Sequence, residues 1–185
     1  MKLQPTPSQV EGPYFLANSP VATTLDLTAA GGKGDKFELS GQVVGTDGVI
    51  ISGATVHVWL ADAAGAYDNQ DAKGNPIALP PARHRLRGRI VTGADGKYNF
   101  KAVRPGNYAL SPSGNDFRPG HIHIKLVAAG YRTLVTQLYF QDDDYNDQDL
   151  EGDGFFKPEL VIHATPVVPD GKTVQKGVFN FVLEK

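Results

Sequence analysis

The sequence predicts an all-β protein, a β-sandwich of mixed, Greek-key-like topology with an extended N-terminal arm. Short apolar runs show the two-residue alternation of strands, whereas the 3.6-residue period of helices is hard to find. The 185 residues include 21 glycines and 13 prolines, and these fall between the apolar runs instead of forming one linker. Short strands separated by glycine and proline turns are typical of sandwiches and barrels.

The first half of the predicted domain contains two alternating runs and a hairpin turn. Residues 37–43 place most of their apolar side chains on one side of a strand. Residues 54–60 do the same, with His57 and Trp59 on the opposite face. Asp95-Gly96 predicts a tight turn into the next strand, because this pair readily adopts the positive φ angles of hairpin turns.

The second half contains three more predicted strands. Residues 121–127 alternate histidine and lysine with isoleucine and leucine, so a polar face opposes an apolar face. Residues 133–140 are rich in β-branched and aromatic side chains, which favour strands. Residues 178–183 form an alternating aromatic run near the C-terminus. We expect all these runs to build one sandwich domain over residues 36–185.

Residues 1–35 differ from the rest and predict an arm that packs on its own or a neighbouring subunit. They contain prolines at four positions: Pro5, Pro7, Pro13 and Pro20. The first residues lack the apolar stretch of a signal peptide, and no apolar run approaches the 18 residues that would span a membrane. We therefore expect a cytoplasmic protein without a membrane partner.

The composition excludes several classes of function. Hydrophobic residues make up 41% of the chain and charged residues 21%, which is ordinary for a globular protein. The net charge of −2 argues against a nucleic-acid partner, whose binding calls for a basic excess. The chain has no cysteine, so disulfide scaffolds, cysteine–metal sites and cysteine nucleophiles are all excluded.

The motif His121-Ile122-His123 is a candidate metal site. Alternate residues of a strand point to the same face, so the two imidazoles could converge on one ion. Zinc, copper, iron and nickel all accept histidine, and the bare motif also fits two half-exposed histidines. Without cysteine, further protein ligands must be histidine, carboxylate or tyrosinate. Tyr67 and Tyr108 stand out by position, although a tyrosine at a strand end is more often a core or rim residue.

Six stretches, in order along the chain, match a known family. They are Leu39-Ser-Gly-Gln-Val43, Val58-Trp-Leu-Ala-Asp-Ala-Ala-Gly-Ala-Tyr67, Gly88-Arg-Ile-Val-Thr-Gly-Ala-Asp-Gly-Lys-Tyr-Asn-Phe100, Arg104-Pro-Gly-Asn-Tyr108, Asn115-Asp-Phe-Arg-Pro-Gly-His-Ile-His123 and Leu134-Val-Thr-Gln-Leu-Tyr-Phe140. In these stretches the chain resembles the intradiol ring-cleavage dioxygenases, and most of all the catalytic β chain of protocatechuate 3,4-dioxygenase. Several motifs that agree in order are far more specific than one short pattern.

The resemblance implies a set of site residues and a reaction. It assigns four ligands to one Fe(III) per chain: Tyr67, Tyr108, His121 and His123. It places Arg118 beside the bound catecholate and Gln137 near that arginine. The implied reaction cleaves a catechol-type ring between its two hydroxyl carbons with O2 and gives a cis,cis-muconate-type product. Tyr67 is expected to leave the iron when substrate binds, because it lies on a loop-like segment.

The same resemblance implies the walls of the substrate pocket. Gly12 and Tyr14 of the arm, together with Trp59, are expected to line it. Leu110 stands where protocatechuate enzymes usually carry tryptophan, which leaves protocatechuate, catechol, hydroxyquinol and substituted catechols open as substrates. His57 stands where the family usually has an acid. We interpret it as a packing residue or a residue that supports the ligands, in preference to a fifth ligand.

Other classes of protein stay open at this point. A transthyretin-like binding or assembly module, or a non-catalytic partner subunit, would carry a vestigial site, and a His-x-His motif also occurs in copper and zinc proteins. The complete set of two tyrosines and two histidines favours the enzyme. Besides a catechol-type substrate and O2, we expect a homo-oligomer, and a heteromeric partner chain is also compatible with the sequence.

Overall fold

The computed structural model describes residues 2–109, 117–147 and 156–185. These residues form fourteen strands and three short 3-10 helices. The strands are β1 (Val21–Ala22), β2 (Leu25–Asp26), β3 (Lys36–Gly45), β4 (Thr55–Leu60), β5 (Arg87–Val91), β6 (Lys97–Val103), β7 (Tyr108–Ala109), β8 (Phe117–Arg118), β9 (His121–Val127), β10 (Leu134–Phe140), β11 (Val161–Ile162), β12 (Thr165–Val167), β13 (Val174–Val178) and β14 (Phe181–Leu183). The 3-10 helices are Pro81–Arg83, Pro158–Leu160 and Pro169–Gly171.

The strands assemble into two main sheets and one small ribbon. The first sheet has the order β1-β5-β4-β9-β10-β11. The second sheet has the order β12-β13-β3-β6-β2, and β14 pairs with the far end of β3. Strands β7 and β8 form a separate two-stranded ribbon. Parallel and antiparallel pairs occur in both main sheets, so the predicted mixed all-β architecture is confirmed.

The core lies between the two sheets and follows the predicted alternation. Ile122, Ile124 and Leu126 of β9 are fully buried and belong to the same apolar cluster as residues of the second sheet. The rings of Phe37 in β3 and Phe140 in β10 meet edge-on at 5.4 Å, which closes the sandwich. Each large apolar side chain buried in this way contributes about 1.5–3 kcal/mol to the free energy of unfolding.

The opposite face of the first sheet carries polar and aromatic side chains. Trp59 of β4 lies between Arg87 of β5 and His123 of β9, and His123 in turn faces Gln137 of β10. Directly paired residues of neighbouring strands point to the same side, so these four side chains form one row across the sheet. We call this side the outer face of the first sheet.

The N-terminal arm covers this outer face of its own chain. Gln9 donates its backbone NH to Val135 O at 2.7 Å, and Lys125 forms an ion pair with Glu11 at 2.6 Å. Further along, β1 pairs with β5 and β2 with β6, and Leu25 joins the main core. These contacts join the arm to the sandwich within one chain, and the division at residue 35 stays a prediction.

No helix in the described ranges is long and apolar enough to cross a membrane.

The core assignment predicts unequal effects of two substitutions in β9. Ile124→Ala, at a fully buried position, should lower the free energy of unfolding by about 2–5 kcal/mol, because it removes apolar contacts and leaves a cavity. Val127→Ala, at a position that is 43% exposed, should cost less than about 1 kcal/mol. Urea unfolding at equal metal load measures both values, and equal losses would contradict the assignment of the core face.

Candidate metal centre

His121 and His123 lie on the outer face of β9, as their alternation with Ile122 predicts. Their Nε2 atoms are 3.1 Å apart, and both side chains are almost fully buried. His121 Nδ1 lies 2.8 Å from Pro119 O, and a carbonyl oxygen only accepts, so Nδ1 carries the proton. The lone pair of His121 therefore sits on Nε2 and points toward His123.

His123 is oriented by stacking. Its ring lies parallel to the indole of Trp59, with centroids 4.8 Å apart and an interplanar angle of 7°. In the described part of the chain, its Nδ1 atom has no hydrogen-bond partner. Trp59 is itself buried and packs against Phe15 of the arm at 5.0 Å. Trp59 therefore fixes the plane of the His123 imidazole. We had predicted Trp59 only as a residue that lines the substrate pocket.

Tyr67 joins the two histidines from a loop that follows β4. Its hydroxyl oxygen lies 3.0 Å from His123 Nε2 and 3.5 Å from His121 Nε2, and its ring is buried. Three donor atoms thus face one another at 3.0–3.5 Å. Ligands bound at about 2.1 Å to a single cation have roughly this mutual spacing.

Tyr108 stands beside this triangle, at the start of β7. Its ring lies 5.6 Å from the His121 ring and 6.4 Å from the Tyr67 ring. Gly65 makes this approach possible: its φ is +82°, and a Cβ there would come within 2.7 Å of Asn107 O. A side chain at position 65 would push the Tyr67 loop away from β7. The structure therefore brings all four predicted ligands to one place.

The chemistry of these side chains fits a trivalent iron. Burial lowers the pKa of His121 to about 3 and that of His123 well below its ordinary value, so both imidazoles are neutral and offer a lone pair. Burial also raises the pKa of Tyr67, and a bound cation would reverse that shift by favouring the phenolate. Within the described ranges, no group of three His, Cys, Asp or Glu side chains could hold a metal, so tyrosinates are the anionic ligands on offer.

Arg118 lies next to the four predicted ligands, on β8 opposite Tyr108. It is 5% exposed, and its Nη2 donates to Gln137 Oε1 at 2.9 Å and to Tyr139 Oη at 3.2 Å. Tyr139 also donates to Gln137 Oε1 at 3.1 Å, and Gln137 Nε2 donates to Val10 O of the arm. The predicted neighbourhood of Arg118 and Gln137 is thus present, and a tyrosine completes it.

Tyr139 was not among the residues singled out from the sequence. It lies two residues after Gln137, and its Cα pairs with that of His121. Tyr139 alternates with Gln137 on β10, so the two-residue period of that strand was the signal that could have placed it on the outer face.

Two arm residues reach the predicted metal ligands of their own chain. Gly12 has φ +72°, and a Cβ there would lie 3.2 Å from Cε1 of His123, so this approach suits glycine. The Tyr14 ring stacks on the Tyr67 ring at 4.2 Å and 15°, and its hydroxyl donates to Gly74 O at 2.5 Å. Both predicted pocket residues therefore lie at the centre, whereas Leu110 lies outside the described residues.

His57 is separate from these ligands. It shares the outer face with Trp59 but lies one row further along, where its Cα pairs with those of Arg89 and Lys125. Its ring meets Phe15 edge-on at 5.4 Å. These contacts agree with the packing role that we predicted for it.

Comparison with known proteins gives matches along most of the chain. The protein-family description Dioxygenase matches residues 10–185. A chlorocatechol 1,2-dioxygenase of Rhodococcus opacus is 36% identical over 97% of this chain, which spans 72% of that protein. A hydroxyquinol 1,2-dioxygenase of Rhizobium sp. (strain MTP-10005) is 34% identical over 75% of this chain, and the match covers 48% of that protein.

A solved structure of similar length matches as well. It is the dioxygenase domain of a dioxygenase–carbohydrate-binding protein fusion from the cellulolytic bacterium Streptomyces sp. SirexAA-E. It superposes with a TM-score of 0.74 at 34% identity and covers 98% of this chain and 99% of that domain. The likeness therefore extends over the sandwich and the arm together.

The surroundings of His57 predict a pH dependence of stability. Burial lowers its pKa from 6.5 to about 4; Arg89 and Lys125 add to the shift and Glu11 opposes it. Between these pH values the unfolded chain binds the proton more readily, so His57 makes the fold less stable as the pH falls from 6.5 toward 4.

His57→Gln should therefore lose less stability than the wild type between pH 7 and pH 5 in urea unfolding. His163→Gln is the control, since His163 is exposed. An unchanged pH dependence in His57→Gln would contradict the assigned cause.

Proposed function

The chain belongs to the intradiol ring-cleavage dioxygenases, and from this premise we propose that it opens a catechol-type ring at the centre formed by Tyr67, His121 and His123. Membership in this family confirms the prediction that the chain is an enzyme, in preference to a transthyretin-like binding or assembly module. The observation that carries the assignment to these residues is the approach of two imidazole nitrogens and a phenol oxygen within 3.5 Å. In the proposed reaction, O2 cleaves the bond between the two hydroxyl carbons and a cis,cis-muconate-type product results.

We propose one Fe(III) per chain, with four ligands: Tyr67, Tyr108, His121 and His123. A bound Fe(III) would supply Lewis-acid and template chemistry for a catechol that binds through its two oxygens. Two phenolates and two neutral imidazoles leave one positive charge on a ferric centre, a small excess that suits a buried site. The hydrogen bond from His121 to Pro119 and the stack of His123 on Trp59 hold the two imidazoles in the orientation that this requires.

Tyr67 is the proposed proton acceptor for the substrate. It lies on a loop, whereas the histidines lie on a strand, so Tyr67 lacks the paired strands that hold the two imidazoles on either side. Burial raises the pKa of its phenol well above the ordinary value, so away from a cation the Tyr67 oxygen would hold a proton. Of the two protons that a catechol would release on binding through both oxygens, Tyr67 would take up one and solvent the other.

Arg118 is proposed to stabilise negative charge on the ring. Its guanidinium is buried, and Gln137 and Tyr139 hold it in place. A fixed positive charge in a site that excludes water stabilises a developing anion strongly, because it need not reorient during the reaction. Gln137 acts through Arg118 and also ties it to the arm at Val10 O.

The substrate class is a catechol with or without a ring substituent. The names of two relatives give chlorocatechol and hydroxyquinol as substrates, which supports a pocket that accepts a single substituted catechol ring. Gly12 and Tyr14, which lie against the ligands, are proposed pocket residues, and Leu110 stays a prediction.

Catechol, 4-chlorocatechol, hydroxyquinol and protocatechuate should be compared by O2 uptake and by the absorbance of the product. Iron-dependent turnover of at least one is expected, and none with any of the four would contradict the proposal.

A homo-oligomer and a cytoplasmic location complete the proposal. Val91 and Val127, exposed at 47% and 43%, flank Thr55 on the outer face and would suit contact with a second copy. Light scattering should give a mass above 19.9 kDa, and a monomer would contradict the assembly. Fractionation of the source cells tests the location.

The ligand assignment predicts the behaviour of Tyr108→Phe. Loss of one phenolate should weaken the visible absorption of the iron protein and lower turnover by about 100-fold or more, since a ligand is removed. Tyr131→Phe, a change near the surface beside Lys185, is the matched control and should keep colour and activity. Full colour and activity in Tyr108→Phe would contradict the assignment.

The role of Arg118 predicts a different pattern for Arg118→Gln. Iron content and colour should persist, whereas kcat should fall by roughly 100- to 1,000-fold because a stabilising charge is lost. Arg132→Gln, which breaks an exposed ion pair with Glu184, should leave kcat unchanged. If Arg118→Gln lost its iron, the arginine would instead have a structural role.

A further inference from the structure

Arg87 is a buried cation next to the metal ligands that neither the sequence motifs nor the proposed mechanism uses. It lies on β5, it is 2% exposed, and its Cα pairs with that of Trp59. Charged side chains are almost never buried to this extent unless their donors are paired, because the loss of hydration is expensive. The identity of its partners therefore indicates what it does.

The first partners of Arg87 are the two residues that follow Tyr67. Arg87 Nε donates to Asp68 Oδ1 at 2.9 Å, and Nη2 donates to both Asp68 Oδ1 and Asn69 Oδ1. The other carboxylate oxygen, Asp68 Oδ2, accepts the backbone NH groups of Arg85 and Leu86 at 2.8 and 3.0 Å. The segment directly after Tyr67 is thus fastened to β5 by several charge-assisted hydrogen bonds.

The remaining donor of Arg87 reaches the arm. Nη1 donates to Tyr14 O at 2.6 Å, and the Tyr14 ring stacks on the Tyr67 ring. One guanidinium therefore holds the loop that carries Tyr67 and also the aromatic side chain that lies against it. The planar guanidinium of arginine can donate to three acceptors in fixed directions. The ammonium of lysine is a single point of charge and cannot hold the same three acceptors in place.

Tyr67 needs such support because of its place in the fold. His121 and His123 are held by a strand with neighbours on both sides, whereas Tyr67 lies in a loop without a strand ladder. Its own backbone NH is bonded to Gln70 Oε1 at 3.1 Å, which is a contact within the same loop. Arg87 provides a side-chain link from that loop to the sheet on which the histidines lie, beside the backbone NH groups of Arg85 and Leu86 that bind the same carboxylate.

We propose that Arg87 is a positioning residue for Tyr67: it fixes the phenol oxygen at the distance from the two histidines that iron binding requires. This inference rests on the proposed function, in which Tyr67 is an iron ligand. It adds that the geometry of this ligand is set through Asp68, Asn69 and the arm at Tyr14.

The test compares Arg87→Lys with Arg89→Lys in the full-length iron protein. Arg89 lies two residues away on the same strand and face, and it also anchors the arm, through a hydrogen bond from Nε to Ser19 O at 2.6 Å. It makes no hydrogen bond to the Tyr67 loop in the described structure. Fe(III) affinity is measured by competition with a chelator, and the iron–phenolate absorption and melting temperature are recorded alongside.

Arg87→Lys should weaken Fe(III) binding by about tenfold and alter the absorption band, as is typical when the support of a metal ligand is removed. Arg89→Lys should change the affinity by less than about twofold. The decisive measurement repeats Arg87→Lys in a Tyr67→Phe background. If Arg87 acts through Tyr67, its effect on Fe(III) affinity should nearly vanish there, because coupled residues are not additive.

Equal losses of affinity in both backgrounds, or equal effects of Arg87→Lys and Arg89→Lys, would overturn the inference. If Tyr67→Phe alone bound Fe(III) as the wild type does, with the same spectrum, the ligand assignment under the proposed function would fail instead. Should Arg87→Lys not fold, Asn69→Ala replaces it, since it keeps the Arg87–Asp68 pair. It should then weaken Fe(III) binding only when Tyr67 is present, and equal losses in both backgrounds would again overturn the inference.

Discussion

The alternation of β9 is the constraint on which the site depends. Ile122 and Ile124 are held in the core between the sheets, and the period of two then forces His121 and His123 onto the outer face. A one-residue slip of the strand would bury two imidazoles in the core and expose two isoleucines. The hydrophobic core therefore fixes the direction of both histidines by itself, and the strands on either side hold their spacing.

The covering of the outer face matters as much as its pattern. An open sheet face would leave the imidazoles in water, where protons compete for their lone pairs. Here the arm lies over the face, with Gly12 against His123 and Tyr14 against Tyr67. Burial keeps the histidines neutral and makes every charge in the site act over a longer range. The arm, which has little regular structure, is thereby part of the centre.

Much of the fold and part of the site could be predicted from periodicity alone. The alternation in 121–127 gave the strand, its core face and the convergence of its histidines. Tyr67 was different, because a loop has no period that assigns a direction to a side chain. Its position drew attention to it, but only the resemblance assigned it as a ligand. Arg87 and Tyr139 were missed although both lie on strands. Each is close to the site because of the residue opposite it on the neighbouring strand, and this pairing cannot be read from a single sequence. The link from Arg87 to residue 14 joins positions 73 residues apart, a contact that no local pattern encodes.

The most direct test of the central claim is the visible spectrum of the concentrated protein as purified, followed by addition of catechol without oxygen. Phenolate ligands on Fe(III) give a broad band and a red-brown colour, and direct binding of catechol shifts this band to longer wavelength. We expect both observations. A protein that stays colourless after reconstitution with Fe(III), or a band that catechol leaves unchanged, would contradict the account of Tyr67, Tyr108, His121 and His123 as an iron centre that binds the substrate directly.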